Sequence, residues 1–214
     1  MFENFVAPDK SDIIDKRKGP YLPHWTLENG TYHVRFSLAD SLPEQVRHDL
    51  LSERELILAK TKKVDGSLTK FEKRRLILLY MDKVEQSLDT GLGECWLKRP
   101  QIGVLIANAL KFFEVQRYCL YAWSVMPNHV HAIVQPGKGF ELSQILHSWK
   151  SYTAKEANKI LGRNGEFWQS EYFDHLIRNE DDLVRKIEYV WKNPDKAGLK
   201  DWKWRWKIPY AGSV

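Results

Sequence analysis

The sequence predicts an α+β fold, a ferredoxin-like and RRM-like antiparallel sheet with helices on one face, extended by a helical insertion and an N-terminal arm. Three observations carry this prediction. Apolar residues alternate with polar ones near 31–38, and apolar strand-like runs occupy 116–126 and 129–136. Helical spacing of apolar residues marks about 100–114 and 141–161. Finally, only Met126-Pro127-Asn128 separates the second and third strands, a connection short enough to force an antiparallel hairpin. The order strand, helical insertion, helix, strand, strand, helix, extended segment, helix suits an antiparallel sheet backed by helices.

Each element has its own grounds. Residues 1–30 read as an arm, polar up to Gly19-Pro20, with a turn signal at Asn29-Gly30. The domain proper is expected over 31–214. Tyr32, Val34, Phe36 and Leu38 alternate as in a half-buried strand. His24 and His33, one before the turn and one in the strand, read as structural or exposed. The insertion covers about 44–100. Leu50, Leu51, Ile57 and Leu58 mark one helical segment, and Phe71, Leu76, Ile77, Leu79, Tyr80 and Val84 a second beyond the hinge Val64-Asp65-Gly66-Ser67. Glu53, Arg54, Lys62, Lys63, Lys73, Arg74 and Arg75 fill the other faces, as a solvated surface or a phosphate contact.

Pro100 is placed to begin the next helix, whose Ile102, Val104, Leu105, Ala109, Leu110, Phe112 and Phe113 should pack on the sheet. The helix from about Glu141 to Leu161 carries the stripe Leu142, Ile145, Leu146, Trp149 and Tyr152. Residues 167–179 read as an extended segment or short hairpin. Glu180-Asp181-Asp182 open a last helix where acids suit its dipole. It is expected to end at Asn193, because Pro194 disfavours helix in the residue before it.

With 214 residues, 43% of them hydrophobic, the chain has material for one domain with elaborations and a sizeable core. No apolar run approaches the ~20 residues of a membrane span, and the first residues lack the apolar stretch of a signal peptide. Two cysteines, Cys95 and Cys119, exclude a disulfide framework and a thiolate zinc site; a reducing cytoplasm is the expected setting. A net charge of +5 combined with nine tryptophans suits a nucleic-acid binder, whose cations meet phosphates and whose rings stack on unpaired bases. Composition alone does not decide it.

The chemistry centres on His129-Val130-His131. In a strand, residues two apart share a face, so the two imidazoles stand side by side and can share a divalent metal ion. The alternative is a pair of polar residues on a solvated sheet face. In the last helix Leu183, Ile187, Val190 and Trp191 form the packing stripe, whereas Tyr189 and Asn193 fall off it together at i and i+4. A phenol beside a carboxamide, brought opposite two imidazoles, makes a metal site with an adjacent nucleophile; otherwise Tyr189 is a half-buried anchor of its helix.

The motifs MPNHVHAIV, HSWKSYTAKEAN, FWQSEYFDHLIRN and IEYVWKNPDKAGL, in that order, resemble the single-tyrosine HUH transposases, nearest the REP-associated tyrosine transposases of bacteria. The resemblance covers roughly residues 115–200, and 31–38 loosely. It implies a ferredoxin-like catalytic domain that nicks and rejoins single-stranded DNA next to hairpins through a 5′-phosphotyrosine. By position, Tyr189 matches the nucleophile, His129 and His131 the metal-binding histidines, and Asn193 the polar residue completing the metal site. The implied cofactor is a divalent metal, Mg2+ or Mn2+.

Lys150, Asp174, His175, Arg178, Arg185 and Lys186 are candidate DNA contacts, each interchangeable with ordinary structural or surface roles. Trp149, Trp168 and Phe173 are candidates for base stacking or for the core. The implied partner is hairpin-bearing (REP-like) single-stranded DNA, with bacterial cytoplasm and nucleoid as the setting and no membrane. Both a homodimer exchanging catalytic helices and a monomer fit the family. Two rival readings are a hairpin-binding protein for DNA or RNA that no longer cleaves, and a metal-dependent hydrolase of small phosphoesters.

Overall fold

The structure, a computed structural model, describes residues 5, 7–8, 15–18, 23–60, 69, 72 and 83–210. Strands β1 (Asp15–Lys18) and β2 (Pro23–Thr26) pair antiparallel as a ribbon of their own. They lie inside the segment read as an arm. Then follow β3 (Tyr32–Ser37), α1 (Glu44–Lys60), α2 (helical residues 83–89), a single 3-10 turn (Trp96–Lys98) and α3 (Pro100–Lys111). The remainder is β4 (Tyr118–Val125), β5 (His129–Pro136), α4 (Leu142–Leu161), β6 (Phe173–Leu176), α5 (Glu180–Lys196) and β7 (Arg205–Lys207). The hinge at 64–67, the residues Lys62, Lys63 and Lys73 to Arg75, and Phe71, Leu76, Ile77, Leu79 and Tyr80 lie outside the described residues.

The main sheet runs β6-β3-β5-β4-β7 with every neighbouring pair antiparallel. Without the short β7 this is the split arrangement of a ferredoxin-like fold: α3 leads from β3 towards β4, β5 pairs between them, and α4 leads to β6 at the edge. The extended segment at 167–179 is resolved into β6 and a bridge from Leu38 to Trp168.

Alternation separates the two faces. Tyr32, Val34 and Phe36 of β3 and Val130, Ala132 and Val134 of β5 are buried against Ile102, Ile106 and Leu110 of α3 and Ile145, Leu146 and Trp149 of α4. Burying one such aliphatic or aromatic side chain contributes about 1.5–3 kcal/mol. The polar tips in this core are satisfied: Trp149 Nε1 donates to Tyr118 Oη (2.9 Å), which donates to the Leu110 carbonyl (2.8 Å). Trp168 Nε1 donates to Thr153 Oγ1 (2.9 Å). Trp149 and Trp168 are therefore core residues, and Phe173 is buried as well.

Helices α3 and α4 cover one face as the sequence predicts, but α5 crosses the other. Its chain enters from β6 at one edge of the sheet and leaves to β7 at the opposite edge, and the first face is already occupied. Leu183, Ile187 and Val190 pack there on Tyr121, Ala122, Ile133 and Ile177. An irregularity between Leu120 and Ala122 accompanies the placing of both Tyr121 and Ala122 in this second cluster.

The start of α5 is capped by Asn179, whose Oδ1 accepts from the Asp182 amide (2.8 Å). Its end corrects the sequence expectation. The helix does not stop at Asn193 but continues through Pro194 to Lys196. A proline in the last turn forfeits one backbone bond, and closure is supplied by Ala197 N to Asn193 O (3.1 Å) and Leu199 N to Pro194 O (2.9 Å), with Gly198 at φ +72°. Since α5 is what carries Tyr189, its cap is a testable support. Replacing Asn179 with Ala should lower unfolding free energy in urea by about 1 kcal/mol, and Asn179→Asp should restore most of it. An unchanged midpoint for Asn179→Ala would show that the cap holds nothing.

Candidate active site

The register of β3 on β5 decides which side chains gather on the face crossed by α5. Arg35 lies opposite His131, Ser37 opposite His129 and His33 opposite Ile133. On the far side of β3, His175 lies opposite His33 and Phe173 opposite Arg35. One polar patch is thereby built from three strands, each of whose other faces is part of the apolar core.

Proton positions follow from the partners. Both amide hydrogens of Asn128 are committed, to the carbonyls of Leu88 (3.2 Å) and Leu92 (3.1 Å). Its Oδ1 therefore faces His129 Nδ1 at 2.8 Å as an acceptor, so His129 carries its proton on Nδ1 and presents a lone pair at Nε2. That lone pair faces His131 Nε2 at 3.0 Å, while His131 Nδ1 is 3.0 Å from His33 Nε2. Two arrangements satisfy these contacts. Either protons run from His33 through His131 to His129, or His131 donates Nδ1–H to His33 and both Nε2 lone pairs point at one spot. The second arrangement requires a cation between them.

All three rings are buried. Desolvation pushes His129 down to about 3, helped by the charge of Arg35. His131 is held well below its ordinary range by burial, then by His129, His33, Arg35 and Lys186. His33 is lowered by burial, then by Lys186, His175 and Arg35. Neutral imidazoles are the form that binds metals. Their spacing fits as well: two ligands at a right angle, each about 2.1 Å from an octahedral ion, stand ~3.0 Å apart.

Helix α5 brings Tyr189 onto this patch, its ring centroid 5.6 Å from that of His131 and 5.7 Å from that of His33, both edge-on. The phenol donates to the carboxylate of Glu85 on α2, whose other oxygen pairs with Arg35 of β3. Lys196 Nζ lies 5.0 Å and Lys186 Nζ 5.8 Å from the phenol ring centroid. One turn beyond Tyr189, Asn193 is 4% exposed, and its Oδ1 has no hydrogen-bond partner among the described residues. A buried acceptor left in that state is costly, and a metal ion is one group that would satisfy it.

The other predicted residues divide. His175 shares the face of His33 and pairs with Asp182 at 3.2 Å; burial lowers its pKa. Lys186 joins the phenol. Arg178 is exposed, and Arg185 is exposed with one contact to Asp182 at 3.3 Å. Asp174 lies opposite Val34, on the other face of the sheet. Lys150 stands on α4, across the sheet, donating to the carbonyls of Gln169 (2.7 Å) and Ser170 (2.8 Å).

Sequence reasoning missed His33, Arg35, Glu85 and Lys196. The alternation of β3 already placed His33 and Arg35 opposite its apolar residues, so their polar face was legible, but not its neighbours. Lys196 was hidden by ending α5 at Asn193. For Glu85, 104 residues from Tyr189, no local signal exists.

Residues 101–192 match the family model described as transposase IS200 like. The chain is 28% identical over 85 residues to the REP-associated tyrosine transposase of Escherichia coli, covering 38% of this chain and 49% of that protein. It is 26% identical over 104 residues to a Haemophilus influenzae protein provisionally named REP-associated tyrosine transposase, covering 42% and 56%. The chain thus spans about half the length of the curated relatives it matches. A solved REP-associated tyrosine transposase bound to a REP hairpin superposes with a TM-score of 0.45 at 17% identity, covering 89% of this chain and 90% of that one.

Three buried neutral histidines leave a mark on stability. Below the ordinary value of 6.5 the unfolded chain takes up protons that the folded chain refuses, so lowering pH favours unfolding. In the metal-free protein, the contribution of these three rings should be constant from about pH 7 upward and should decline below it by about 1.4 kcal/mol per pH unit for each histidine kept neutral. Urea unfolding in EDTA at pH 7, 6 and 5 checks this, and a flat profile would contradict it.

Proposed function

We propose that this chain is a metal-dependent transposase that nicks and rejoins single-stranded DNA beside hairpins through a 5′-phosphotyrosine on Tyr189. The observation that supports it most is the meeting of a phenol with two neutral, mutually facing imidazoles on the buried face of one sheet. The similarity to REP-associated tyrosine transposases supports the substrate class.

His129 Nε2, His131 Nε2 and the carboxamide oxygen of Asn193 are the residues that would hold the divalent ion. Magnesium prefers oxygen ligands, so two imidazoles favour manganese in vitro. When bound, such an ion offsets the charge that builds on a non-bridging phosphate oxygen in the transition state. Tyr189 supplies the attacking oxygen; the bond from phosphorus to O3′ breaks, leaving the 5′-phosphate on the phenol and a free 3′-hydroxyl. That hydroxyl, or another strand's, reverses the step, so joining needs no external energy source. Lys186 and Lys196 beside the phenol, with exposed Arg178 and Arg185, supply charge for the phosphate backbone.

Because Tyr189 and the imidazoles meet within one chain, the site does not require helices exchanged with a second copy. Among the described residues no helix is long and apolar enough to cross a membrane; the setting we assign is the bacterial cytoplasm, at the nucleoid when DNA is bound.

Hairpin-bearing single-stranded oligonucleotides incubated with the protein and manganese should give a covalent adduct on a denaturing gel. Tyr189→Phe should abolish it, and EDTA should prevent it. An adduct formed equally well by Tyr189→Phe would remove the nucleophile from the proposal. Tight hairpin binding with no cleavage under any divalent metal would establish the non-cleaving reading instead.

A further inference from the structure

We infer that Glu85, carried by the helical insertion, is a further catalytic residue that accepts the phenol proton of Tyr189. The inference rests on Tyr189 being the nucleophile. Its first support is contact: one carboxylate oxygen of Glu85 receives the Tyr189 hydroxyl and the other receives Arg35 Nη1. Arg35 is itself fixed, 4% exposed on β3 with its guanidinium 5.5 Å from the Phe173 ring centroid. The carboxylate is thus held between a strand and the helix it serves.

The second support is the anchoring of α2. Val84 and Leu88, on either side of Glu85, are buried. The carbonyl of Leu88 is bound by Asn128, the same side chain that orients His129. One residue therefore fixes both the imidazole and the helix that delivers the carboxylate. A helix there for packing alone has no need of a charged group aimed at a phenol.

Electrostatics suits the task. A phenol with a reference pKa near ~10 is a weak nucleophile at neutral pH, and a base is most effective when its own pKa is moved towards the operating pH. Burial raises the Glu85 carboxyl above its ordinary value, while Arg35 pulls it back, Asp89 raises it and Lys186 lowers it. The groups facing it are Arg35 from β3, Tyr189 and Lys186 from α5, and Asp89 from its own helix. The step is balanced. As Tyr189 Oη bonds to phosphorus, its proton passes to Glu85; as the P–O3′ bond breaks, O3′ takes a proton from solvent water, and Glu85 later returns its proton to solvent. In rejoining, Glu85 first takes a proton back from solvent; the attacking 3′-hydroxyl then gives its proton to solvent water as it bonds to phosphorus, and Glu85–H reprotonates the departing phenol.

The test is single-turnover adduct formation by the full chain, using a hairpin oligonucleotide and manganese across pH 5–10. Glu85→Gln should bind the oligonucleotide and manganese as the wild type does, but form adduct ~10²–10⁴-fold more slowly. Its rate should lack the acidic limb of the wild-type profile and climb steadily with hydroxide. Glu85→Ala should be similarly slow and be accelerated by added formate, a readout that a packing role would not move. A Glu85→Gln rate and profile equal to the wild type's would overturn the inference, as would a slow variant with an unchanged profile and no formate rescue of Glu85→Ala. If the wild type forms no adduct, or Tyr189→Phe still does, the nucleophile itself is wrong, a result distinguishable from failure of Glu85 alone.

Discussion

Two imidazole nitrogens held 3.0 Å apart in a water-poor sheet face are the constraint on which the site depends. They must share a proton or share a cation, because facing lone pairs repel. Both rings are buried, and each is held at its far nitrogen. Asn128 fixes the proton of His129 on the far nitrogen, and His33 occupies the far nitrogen of His131. The pair is thus prepared before any ligand arrives. Keeping three buried rings neutral costs stability at acid pH, a cost offset by the apolar core on the opposite face of the same strands.

The sheet order explains why a phenol comes to this pair. β5 lies in the middle of the sheet, so its two faces are both covered. β6 and β7 occupy opposite edges, so the helix joining them has to pass over the middle. Tyr189 falls beside the apolar stripe Leu183, Ile187 and Val190, close enough to the sheet to reach His131 yet partly open to solvent. The helix running through Pro194 matters as well, for it keeps Asn193 in register one turn beyond Tyr189 and brings Lys196 to the phenol ring. Across the top, α2 is stitched to the β4–β5 turn by Asn128, tying the insertion to the histidine strand.

The parts of this arrangement legible in the sequence were those with a local period. A valine between two histidines fixes a shared face, a spacing of four from Tyr189 to Asn193 fixes a shared helix side, and three residues between apolar strands fix a hairpin. What escaped was set by distant pairing. His33 looked like any strand histidine until β3 was laid against β5. Glu85 was one acid among many on a charged helix, and only the docking of α2 gives it a phenol. Pro194 was over-read: its local preference is real, but one lost bond in a final turn is outweighed by the closing bonds after it. The β1–β2 ribbon and β7 were missed because short, polar or tryptophan-rich segments carry no clean alternation.

The most direct measurement is pulsed electron paramagnetic resonance of manganese added to the metal-free chain. The expected spectrum carries coupling to two imidazole nitrogens, reduced to one in His129→Ala and in His131→Ala. Bound manganese without imidazole coupling, or with coupling that neither substitution changes, would contradict a metal centre built on these two rings.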